Sequence, residues 1–261
     1  MGSGVGDVSV ERVPCLKDNY SWIIHDHATG KTAVVDPAEE APVVAALKDK
    51  GWTLSHILNT HHHWDHTGAN EILKDTFNVC IVGPKADEDR IPGIDVALGD
   101  GDEYMLGNVR IVCYDTPGHT QGHITFHLPE VHALFPGDTL FSMGCGRLFE
   151  GTPEQMWASL SKLVPLDADT RVYCAHEYTL SNAKFAMHVE PNNAALQRRF
   201  KEVEEARSKG IPTIPSVMGV ELETNPFLRP DSKEIRASLN IPESASNAEA
   251  FGVIRRAKDS F

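Results

Sequence analysis

Short apolar runs separated by turn residues recur along the first 180 residues, and this pattern predicts β-strands. Ala28-Thr29-Gly30 forms the turn between the second and third runs, and Gly107-Asn108 joins two later runs as in a hairpin. The predicted strands are Val8–Val13, Tyr20–His25, Lys31–Val35, Ser55–Asn59, Val79–Gly83, Glu103–Leu106, Val109–Tyr114, His123–His127, Ala133–Pro136 and Arg171–Cys174.

Apolar residues at helical spacing predict fewer helices in the same part of the chain. Val43, Val44 and Leu47 share one face of a helix over Glu40–Lys50, and a helix-like segment covers Ala69–Phe77. Another helix begins with Thr152 at the N-cap, followed by proline at N1 and glutamine at N3, which is close to a capping box. Helices mixed with strands in this way suggest two sheets covered by helices, an α+β fold.

After about residue 180 the pattern changes to charged helices and irregular segments. The predicted helices are Ala194–Lys209, Lys233–Leu239 and Ala248–Lys258. The proline-rich stretch Ile211–Arg229 predicts irregular structure between the first two of these helices. We therefore divide the chain into a larger domain over residues 1–180 and a smaller α-helical domain over residues 181–261.

Composition and charge favour a soluble globular protein and disfavour nucleic acid as its partner. Hydrophobic residues make up 41% of the 261 positions, and no apolar run approaches the roughly 20 residues that span a bilayer. The formal charge of −13 disfavours nucleic acid as a partner, because phosphate backbones bind basic surfaces. This charge is uneven, with −14 over residues 1–180 and +1 over residues 181–261. A monomer is favoured over an oligomer.

The cysteines and the amino terminus bear on the compartment. Residues 1–6 have neither the basic nor the apolar region of a secretory signal. We expect a cytoplasmic protein, or one of the mitochondrial matrix if a transit peptide has been removed. Five cysteines without a Cys-x-x-Cys pair indicate reduced, mostly buried thiols. These cysteines are Cys15, Cys80, Cys113, Cys145 and Cys174.

The densest candidate chemistry is Thr60-His61-His62-His63-Trp64-Asp65-His66, which follows a predicted strand. Along an extended backbone His61 and His63 point to the same side, so both imidazoles can bind one cation. Asp65 and His66 follow where the chain turns, and they can reach a second cation beside the first. Imidazole together with carboxylate suits zinc, iron or manganese. A metal centre is favoured over a histidine-rich loop that binds metal adventitiously.

Three later segments share one arrangement, in which an apolar run ends, a tight turn follows, and a metal-ligand side chain comes next. Alone, each is better explained as a loop histidine or a turn-forming aspartate. Together with the histidine stretch they indicate one metal centre. The ligand-type residues of these segments are His119, Asp138 and His176.

Five histidines and two aspartates exceed the four ligands of one tetrahedral ion, so we predict two divalent metal ions with one bridging aspartate. Two such ions about 3.5 Å apart can hold a bridging hydroxide and polarise a carbonyl. The favoured division shares Asp138 between two sets of ligands, which are His61, His63 and His119 on one metal and Asp65, His66 and His176 on the other.

This ligand set resembles that of the metallo-β-lactamase superfamily, whose pattern is His-x-His-x-Asp-His followed by separate His, Asp and His ligands. Within the superfamily the chain is most similar to the glyoxalase II (hydroxyacylglutathione hydrolase) family, over nearly its whole length. The metal motif specifies only the superfamily, whereas the carboxyl-terminal matches narrow it to this family. The matching runs are Val13–Tyr20, Asn59–Gly68, Asp115–Thr120, Gly137–Phe141, Cys145–Thr152, His176–Thr179, Asn225–Arg229 and Arg255–Asp259.

The resemblance implies a fold and a reaction. The fold is a metallo-β-lactamase-like αββα sandwich as the catalytic domain, followed by the smaller helical domain as the substrate-binding part. The reaction is hydrolysis of S-D-lactoylglutathione to D-lactate and glutathione, the second step of methylglyoxal detoxification. Water bound to a divalent metal has its pKa lowered to about 7, which supplies the hydroxide, and the cations stabilise the oxyanion.

The same chemistry limits the catalytic residues that are needed. Thiolate is a good leaving group, so a dedicated general acid is not required. Asp65 and Asp138 are the candidate catalytic residues, with Asp65 assisting proton transfer as well as binding metal. A Gly-x-Ser-x-Gly motif and a nucleophilic cysteine context are both absent from the sequence, so a covalent acyl-enzyme is disfavoured.

Glutathione has two carboxylates, so a pocket for it should offer cations. The resemblance implies that Arg255 and Lys258 bind its glycine carboxylate, with Arg147, Phe149 and Tyr178 along the peptide. Arg255 and Lys258 lie three positions apart on a predicted helix and share a face. Basic residues in a last helical turn also stabilise the helix dipole without binding a ligand. The family often has lysine at the position of Arg147, and tyrosine in place of Phe149 would add a hydroxyl contact.

Other functions stay open at this point. A persulfide dioxygenase of the same superfamily, with mononuclear iron and no cationic tail, is the nearest enzyme alternative. A β-lactamase is disfavoured because Asp138 stands where several lactamases place a different ligand, and a nuclease is disfavoured by the acidic charge. A metal-binding or redox-sensing module without turnover is the alternative from another class.

Two further residues have less specific explanations. His62 points away from its neighbours and is not expected to bind metal. Asp36 resembles a superfamily position that orients the site, but it could equally cap the next helix.

Overall fold

The computed structural model describes residues Asp7–Phe261, in which strands and helices are mixed throughout. The strands are β1 (Val8–Cys15), β2 (Asn19–Asp26), β3 (Lys31–Val35), β4 (His56–Leu58), β5 (Cys80–Pro84), β6 (Val96–Leu98), β7 (Glu103–Leu106), β8 (Val109–Asp115), β9 (Ile124–Leu128), β10 (Ala133–Phe135), β11 (Leu140–Phe141), β12 (Gly144–Cys145), β13 (Arg171–Val172) and β14 (Ser216–Val217). The helices are α1 (Glu40–Lys50), α2 (Trp64–Thr67), α3 (Asn70–Phe77), α4 (Pro153–Leu163), α5 (Thr179–Val189), α6 (Ala194–Ser208), α7 (Met218–Thr224), α8 (Lys233–Ser238) and α9 (Asn247–Asp259). The predicted combination of helices and strands is confirmed.

The described chain divides into two compact units. The first contains the described residues up to Asp115 together with Gln121–Gly137, and the second contains Thr116–Thr120 and Asp138–Phe261. The domain boundary placed near residue 180 by the change in sequence character stays a prediction. Within Asp7–Phe261, none of the helices has the length and apolar character needed to cross a membrane.

The first unit contains a six-stranded sheet in the order β1-β2-β3-β4-β5-β6. Strands β1 to β3 are antiparallel, and β3 to β6 are parallel. Helix α1 connects β3 to β4 and buries Val43 and Leu47, and Val44, the third residue of the predicted face, is partly buried against the same core. Parallel strands are covered on both faces, which explains why residues 33–35 and 57–58 are continuous apolar runs rather than alternating sequences.

The same unit contains four further strands in the antiparallel order β10-β9-β8-β7. The Gly107-Asn108 turn joins β7 to β8 as predicted. Gly107 has a φ of 61°, and a Cβ there would lie 2.1 Å from the Thr29 hydroxyl oxygen and 2.5 Å from Oδ2 of Asp26. Glycine is therefore required at this position both for the turn and for the close contact.

The second unit is mainly helical, with two short pairs of strands. Strand β11 pairs with β12, and β13 pairs with β14, both antiparallel. Helix α4 packs against α9, and α5 packs against α6. One apolar cluster of this unit consists of Met143, Ala183, Ala186, Leu196 and Val203.

Two helices of the second unit were not predicted. The stretch Ile211–Arg229 was predicted to be irregular, and this was wrong for the part that forms β14 and α7. Helix α7 turns Glu221 and Thr224 into the interior, and α5 buries Thr179 and Asn182. In α7 two of the three buried residues are polar, so this segment lacks the apolar stripe by which an amphipathic helix is recognised.

The capping box at the start of α4 is confirmed and generates a stability prediction. The Thr152 hydroxyl accepts the backbone N–H of Gln155 at 3.3 Å, and the Gln155 side chain accepts the Thr152 N–H at 3.0 Å. Replacing Thr152 with alanine leaves the Gln155 N–H without its partner, so the free energy of unfolding should fall by about 1 kcal/mol. Chemical denaturation followed by circular dichroism measures this. Thr152→Ser keeps the cap and should lose much less, and equal losses in both variants would contradict the capping role.

Candidate metal centre

The histidine stretch begins directly after β4, which lies between the parallel strands β3 and β5. Ligands of parallel sheets gather at the carboxyl ends of the strands, which is where this stretch lies. The side chain of Asn59 donates to the carbonyl of His66 at 3.0 Å, and Asn70 donates to the side-chain oxygen of Asn59 at 2.7 Å. These hydrogen bonds close the stretch into a tight loop that leads into α2.

Within this loop, potential metal-ligand atoms lie close together in two pairs. His61 Nε2 lies 3.1 Å from His63 Nδ1, and Asp65 Oδ2 lies 3.5 Å from His66 Nε2. Two ligand atoms on one tetrahedral ion, each bound at about 2.05 Å, are about 3.3 Å apart. Each pair therefore has the spacing of two ligands of one cation. The division predicted from the sequence places His61 and His63 on one ion, and Asp65 and His66 on the other.

Asp36 orients this loop. One of its carboxylate oxygens accepts the Thr60 backbone N–H at 2.8 Å, and the other accepts the Thr60 hydroxyl at 2.7 Å and lies 3.0 Å from His66 Nδ1. With the proton on Nδ1, the Nε2 lone pair of His66 is directed toward a metal. The alternative role as a helix cap does not apply, because Glu39 occupies the N-cap of α1.

Asn19 holds Asp65 but was not singled out from the sequence. Its side-chain amide donates to Oδ2 of Asp65 at 3.0 Å and to the Asp65 carbonyl at 3.2 Å. The two residues are 46 positions apart, so no local pattern marks this contact. The signal that was present is the location of Asn19 in Val13–Tyr20, one of the runs that match the family.

His62 takes part in a different interaction. Its Nδ1 lies 3.1 Å from Oδ2 of the buried Asp87, and Arg90 donates to Oδ1 of the same carboxylate at 2.6 Å. His62 is thus directed to Asp87, in agreement with its interpretation as a residue that does not bind metal.

In the second unit His119 lies on the tight turn Thr116–Thr120. The Gly118 N–H donates to the Thr120 carbonyl at 3.0 Å. Gly118 has a φ of 149°, and a Cβ there would lie 2.8 Å from the Cβ of Met156, so a larger residue would displace the turn. His119 Nδ1 lies 2.9 Å from the Arg147 carbonyl oxygen, which leaves Nε2 as the metal-binding nitrogen.

Asp138 lies between two histidines of the same unit. Its Oδ2 is 3.4 Å from His119 Nε2, and its Oδ1 is 3.4 Å from His176 Nε2. All three side chains are buried. A carboxylate that turns each oxygen to a different imidazole has the geometry of a ligand shared by two cations. Imidazole nitrogen and carboxylate oxygen at these distances fit divalent metal ions.

Two aromatic side chains flank the ligands of the second unit. The Phe149 ring lies 5.1 Å from the His119 ring, and the Tyr178 ring stacks on His176 at 4.6 Å with an interplanar angle of 3°. Both side chains are exposed, Phe149 to 63%. Exposed aromatic groups beside buried polar ligands are typical of a binding surface.

Two of the predicted substrate-binding cations are accessible. Arg147 is exposed, with Nε 3.9 Å from Asp259 Oδ1, and Lys258 Nζ lies 3.2 Å from the Ser181 hydroxyl oxygen. Burial lowers the pKa of Lys258, and the positive charges of Arg255 and Arg147 lower it further. These cations are therefore close enough to repel one another, and an anion bound among them would relieve that repulsion.

Arg255 is more firmly held than its neighbours. It is 5% exposed, and its Nη1 donates to the Cys145 carbonyl at 2.8 Å while Nη2 pairs with Asp259 Oδ1 at 2.9 Å. Its guanidinium lies 4.8 Å from the centre of the Phe227 ring. Burial raises the pKa of the Cys145 thiol to about 11, so this thiol is protonated at neutral pH.

Comparison with known proteins first defines the class. Residues 17–176 match the model of the metallo-β-lactamase superfamily, and residues 177–261 match the model of the hydroxyacylglutathione hydrolase C-terminus. The solved structure of ETHE1 from Myxococcus xanthus shares the fold, with a TM-score of 0.66 and 22% identity over 97% of this chain and 99% of that one. The fold and the ligand pairs are thus those of a metallo-β-lactamase-type protein with a helical carboxyl-terminal part.

Curated relatives then specify the family. A hydroxyacylglutathione hydrolase of Methylococcus capsulatus is 52% identical over 97% of this chain and 99% of its own length. Another, of Rhizobium meliloti, is 51% identical over 95% of this chain and 96% of its own length. The chain therefore belongs to the hydroxyacylglutathione hydrolase family of enzymes.

The contacts of Asp36 predict that it controls metal affinity without binding metal itself. Replacing Asp36 with alanine removes the acceptor for His66 Nδ1, so the affinity for Zn²⁺ should fall about 10- to 100-fold. Competition with a chromophoric chelator measures this. Asp26, a buried aspartate of the same unit that accepts from Thr29 and Asn108, provides the matched control Asp26→Ala. Unchanged affinity in Asp36→Ala, or an equal loss in Asp26→Ala, would contradict the orienting role.

Proposed function

We propose that this chain hydrolyses S-D-lactoylglutathione to D-lactate and glutathione by means of two divalent metal ions. The observation that carries the proposal is the orientation of Asp138, whose two oxygens each lie 3.4 Å from a different histidine. Membership of the hydroxyacylglutathione hydrolase family supplies the substrate class. The same membership favours thioester hydrolysis over persulfide oxidation and over a metal-binding module without turnover.

In the proposed centre Asp138 is shared, and each ion has three further ligands. When bound, the two cations supply an activated water and polarise the thioester carbonyl. Zinc suits these donors, and iron or manganese would also be accepted. The two ligand sets are His61, His63 and His119, and Asp65, His66 and His176.

Side chains next to the proposed ligands orient them, and one of the ligands can also transfer protons. Asn19 fixes the Asp65 carboxylate, and Asp36 fixes the His66 ring, so both ligands are preorganised before substrate arrives. Asp65 is only partly buried, whereas His61 and His66 are buried, and it is therefore suited to exchange a proton with solvent.

We propose that the glutathione part of the substrate lies on the exposed surface of the second unit. Arg147 and Lys258 offer positive charge to its carboxylates, and Phe149 and Tyr178 offer flat apolar faces beside the ligands. Arg255 contributes charge, while its hydrogen bond to the Cys145 carbonyl fixes the backbone before Arg147. The monomeric state and the compartment stay predictions.

The proposed reaction is tested by measuring thiol release from S-D-lactoylglutathione with the metal-loaded protein. Removing the shared carboxylate in Asp138→Ala should lower kcat by a factor on the order of 10² or more, because charge stabilisation in the transition state is lost. The exposed aspartate Asp75 on α3 provides the control Asp75→Ala, which should keep the wild-type rate. Wild-type protein without thiol release, or an Asp138→Ala variant of full activity, would contradict the proposal.

The anion-binding role of Lys258 is tested with two substrates. Lys258→Ala should raise KM for S-D-lactoylglutathione about tenfold and leave kcat nearly unchanged, because a charge-assisted hydrogen bond is lost in ground state and transition state alike. A lactoyl thioester of cysteamine has no carboxylate and should show no change. A KM increase of equal size for both thioesters would show that Lys258 acts on the fold rather than on the tripeptide. Lys184→Ala on α5 is the matched control.

A further inference from the structure

The segment after Asp138 is a short hairpin made of β11 and β12. Leu140 pairs with Cys145 and Phe141 pairs with Gly144, and Ser142-Met143 forms the turn. Met143 has a φ of 54°, an unfavourable value for any residue other than glycine. Strands of two residues each do not stabilise a hairpin on their own. Contacts from elsewhere in the second unit must therefore hold this one.

Asn225 binds both strands of the hairpin. Its side-chain amide donates to the Phe141 carbonyl at 3.1 Å and to the Gly144 carbonyl at 3.0 Å. The side-chain oxygen of Asn225, Oδ1, accepts the Phe227 N–H at 3.0 Å. Asn225 is fully buried, so these hydrogen bonds do not compete with water.

Glu221 holds the turn of the hairpin. Its Oε2 accepts the Met143 N–H at 2.7 Å and the Asn225 amide at 3.0 Å, and its Oε1 accepts the Ser216 hydroxyl. The Glu221 side chain has no exposed surface, and burial raises its pKa. A buried carboxyl group is costly unless its hydrogen bonds are satisfied, and three donors converge on this one.

The hairpin contacts each of the three ligands of the second unit. Asp138 lies at its start, and the Phe141 ring meets the His176 ring edge-on at 5.8 Å. At the other end the chain reaches Arg147, whose carbonyl oxygen lies 2.9 Å from His119 Nδ1. A shift of the hairpin would therefore move Asp138, His119 and His176 relative to one another.

We propose that Glu221 and Asn225 are positioning residues for the metal centre, which hold the β11–β12 hairpin so that the Asp138 oxygens face His119 and His176. This inference rests on the proposed metal-dependent function. It gives helix α7 and the residue that follows it a role in assembling the ligands, in addition to the substrate binding expected of the carboxyl-terminal part.

The sharpest variant is Asn225→Asp. Aspartate has the same size and keeps the oxygen that accepts the Phe227 N–H, but it replaces the donating amide by a second oxygen. That oxygen would face two carbonyl groups and the Glu221 carboxyl, so the hairpin should move away. We expect Zn²⁺ affinity to fall about 10- to 100-fold, the range seen when partners of metal ligands are removed. We also expect kcat for thioester hydrolysis to fall while KM changes little.

The conservative variant Glu221→Gln should retain most of the Zn²⁺ affinity and kcat that Glu221→Ala loses. Glutamine keeps an oxygen to accept the Met143 N–H, and its amide can donate to the Ser216 hydroxyl oxygen. The visible absorption of the Co²⁺-substituted protein reports the ligand geometry directly. Its spectrum should resemble the wild type in Glu221→Gln and differ in Asn225→Asp.

Glu190 provides a control of matched chemistry in the same unit. It is buried and accepts hydrogen bonds from Ser232 at 2.6 Å and from Asn193 at 2.9 Å, with Arg229 as its ion-pair partner. None of these contacts involves the hairpin. Glu190→Ala should lower the denaturation midpoint and leave metal affinity and the Co²⁺ spectrum unchanged. Metal binding weakened as much in Glu190→Ala as in Asn225→Asp would overturn the inference.

A milder variant covers the case in which Asn225→Asp does not fold. Asn182 donates to the Ser142 carbonyl at 3.1 Å, so Asn182→Ala should weaken metal binding in the same direction but less. If the folded Asn225→Asp or Asn182→Ala protein bound Zn²⁺ as tightly as the wild type, the inference would be overturned. The proposed function would still hold as long as the wild-type protein hydrolyses the thioester. Absence of metal binding and of thiol release in the wild-type protein would instead contradict the proposed function, so the two failures are distinguishable.

Discussion

The buried carboxylate of Asp138 imposes the strictest requirement on this fold. A buried negative charge is unfavourable unless positive or donating groups surround it. Two imidazole nitrogens lie 3.4 Å from its oxygens. Divalent cations beside these groups would compensate the charge of the carboxylate. The carboxylate is thus a costly buried group, and its surroundings support the proposed metal centre.

The ligands depend on partners that bind no metal. Asp36 holds His66, Asn19 holds Asp65, and the Arg147 carbonyl fixes the His119 ring. Such partners select the tautomer and the direction of each ring, and they limit how far a ligand can move when substrate binds. In the proposed centre the fold contributes most by keeping this arrangement in place before the reaction, because preorganised groups need no reorganisation when charge develops.

The candidate ligand residues could be proposed from the sequence because each combines a local signal with a chemical one. His61, His119 and His176 each follow a predicted strand, and at His119 proline and glycine form the tight turn that directs the side chain away from the sheet. Their division between two ions followed from counting donors against a tetrahedral ion. Asn19, Glu221 and Asn225 carry no such signal, since their partners lie 46 to 84 positions away and depend on tertiary packing. The same limit applies to helix α7, whose buried polar residues obscure the helical pattern, whereas Lys31–Val35 and Glu40–Lys50 matched their predicted bounds.

Anomalous X-ray diffraction from metal-loaded crystals, recorded at the absorption edge of the bound metal, examines the shared carboxylate most directly. Two peaks are expected beside Asp138, each within bonding distance of one of its oxygens and of one of the histidines His119 and His176. A single peak bound by both oxygens, or an Asp138 side chain turned away from the two rings, would contradict a centre of two cations.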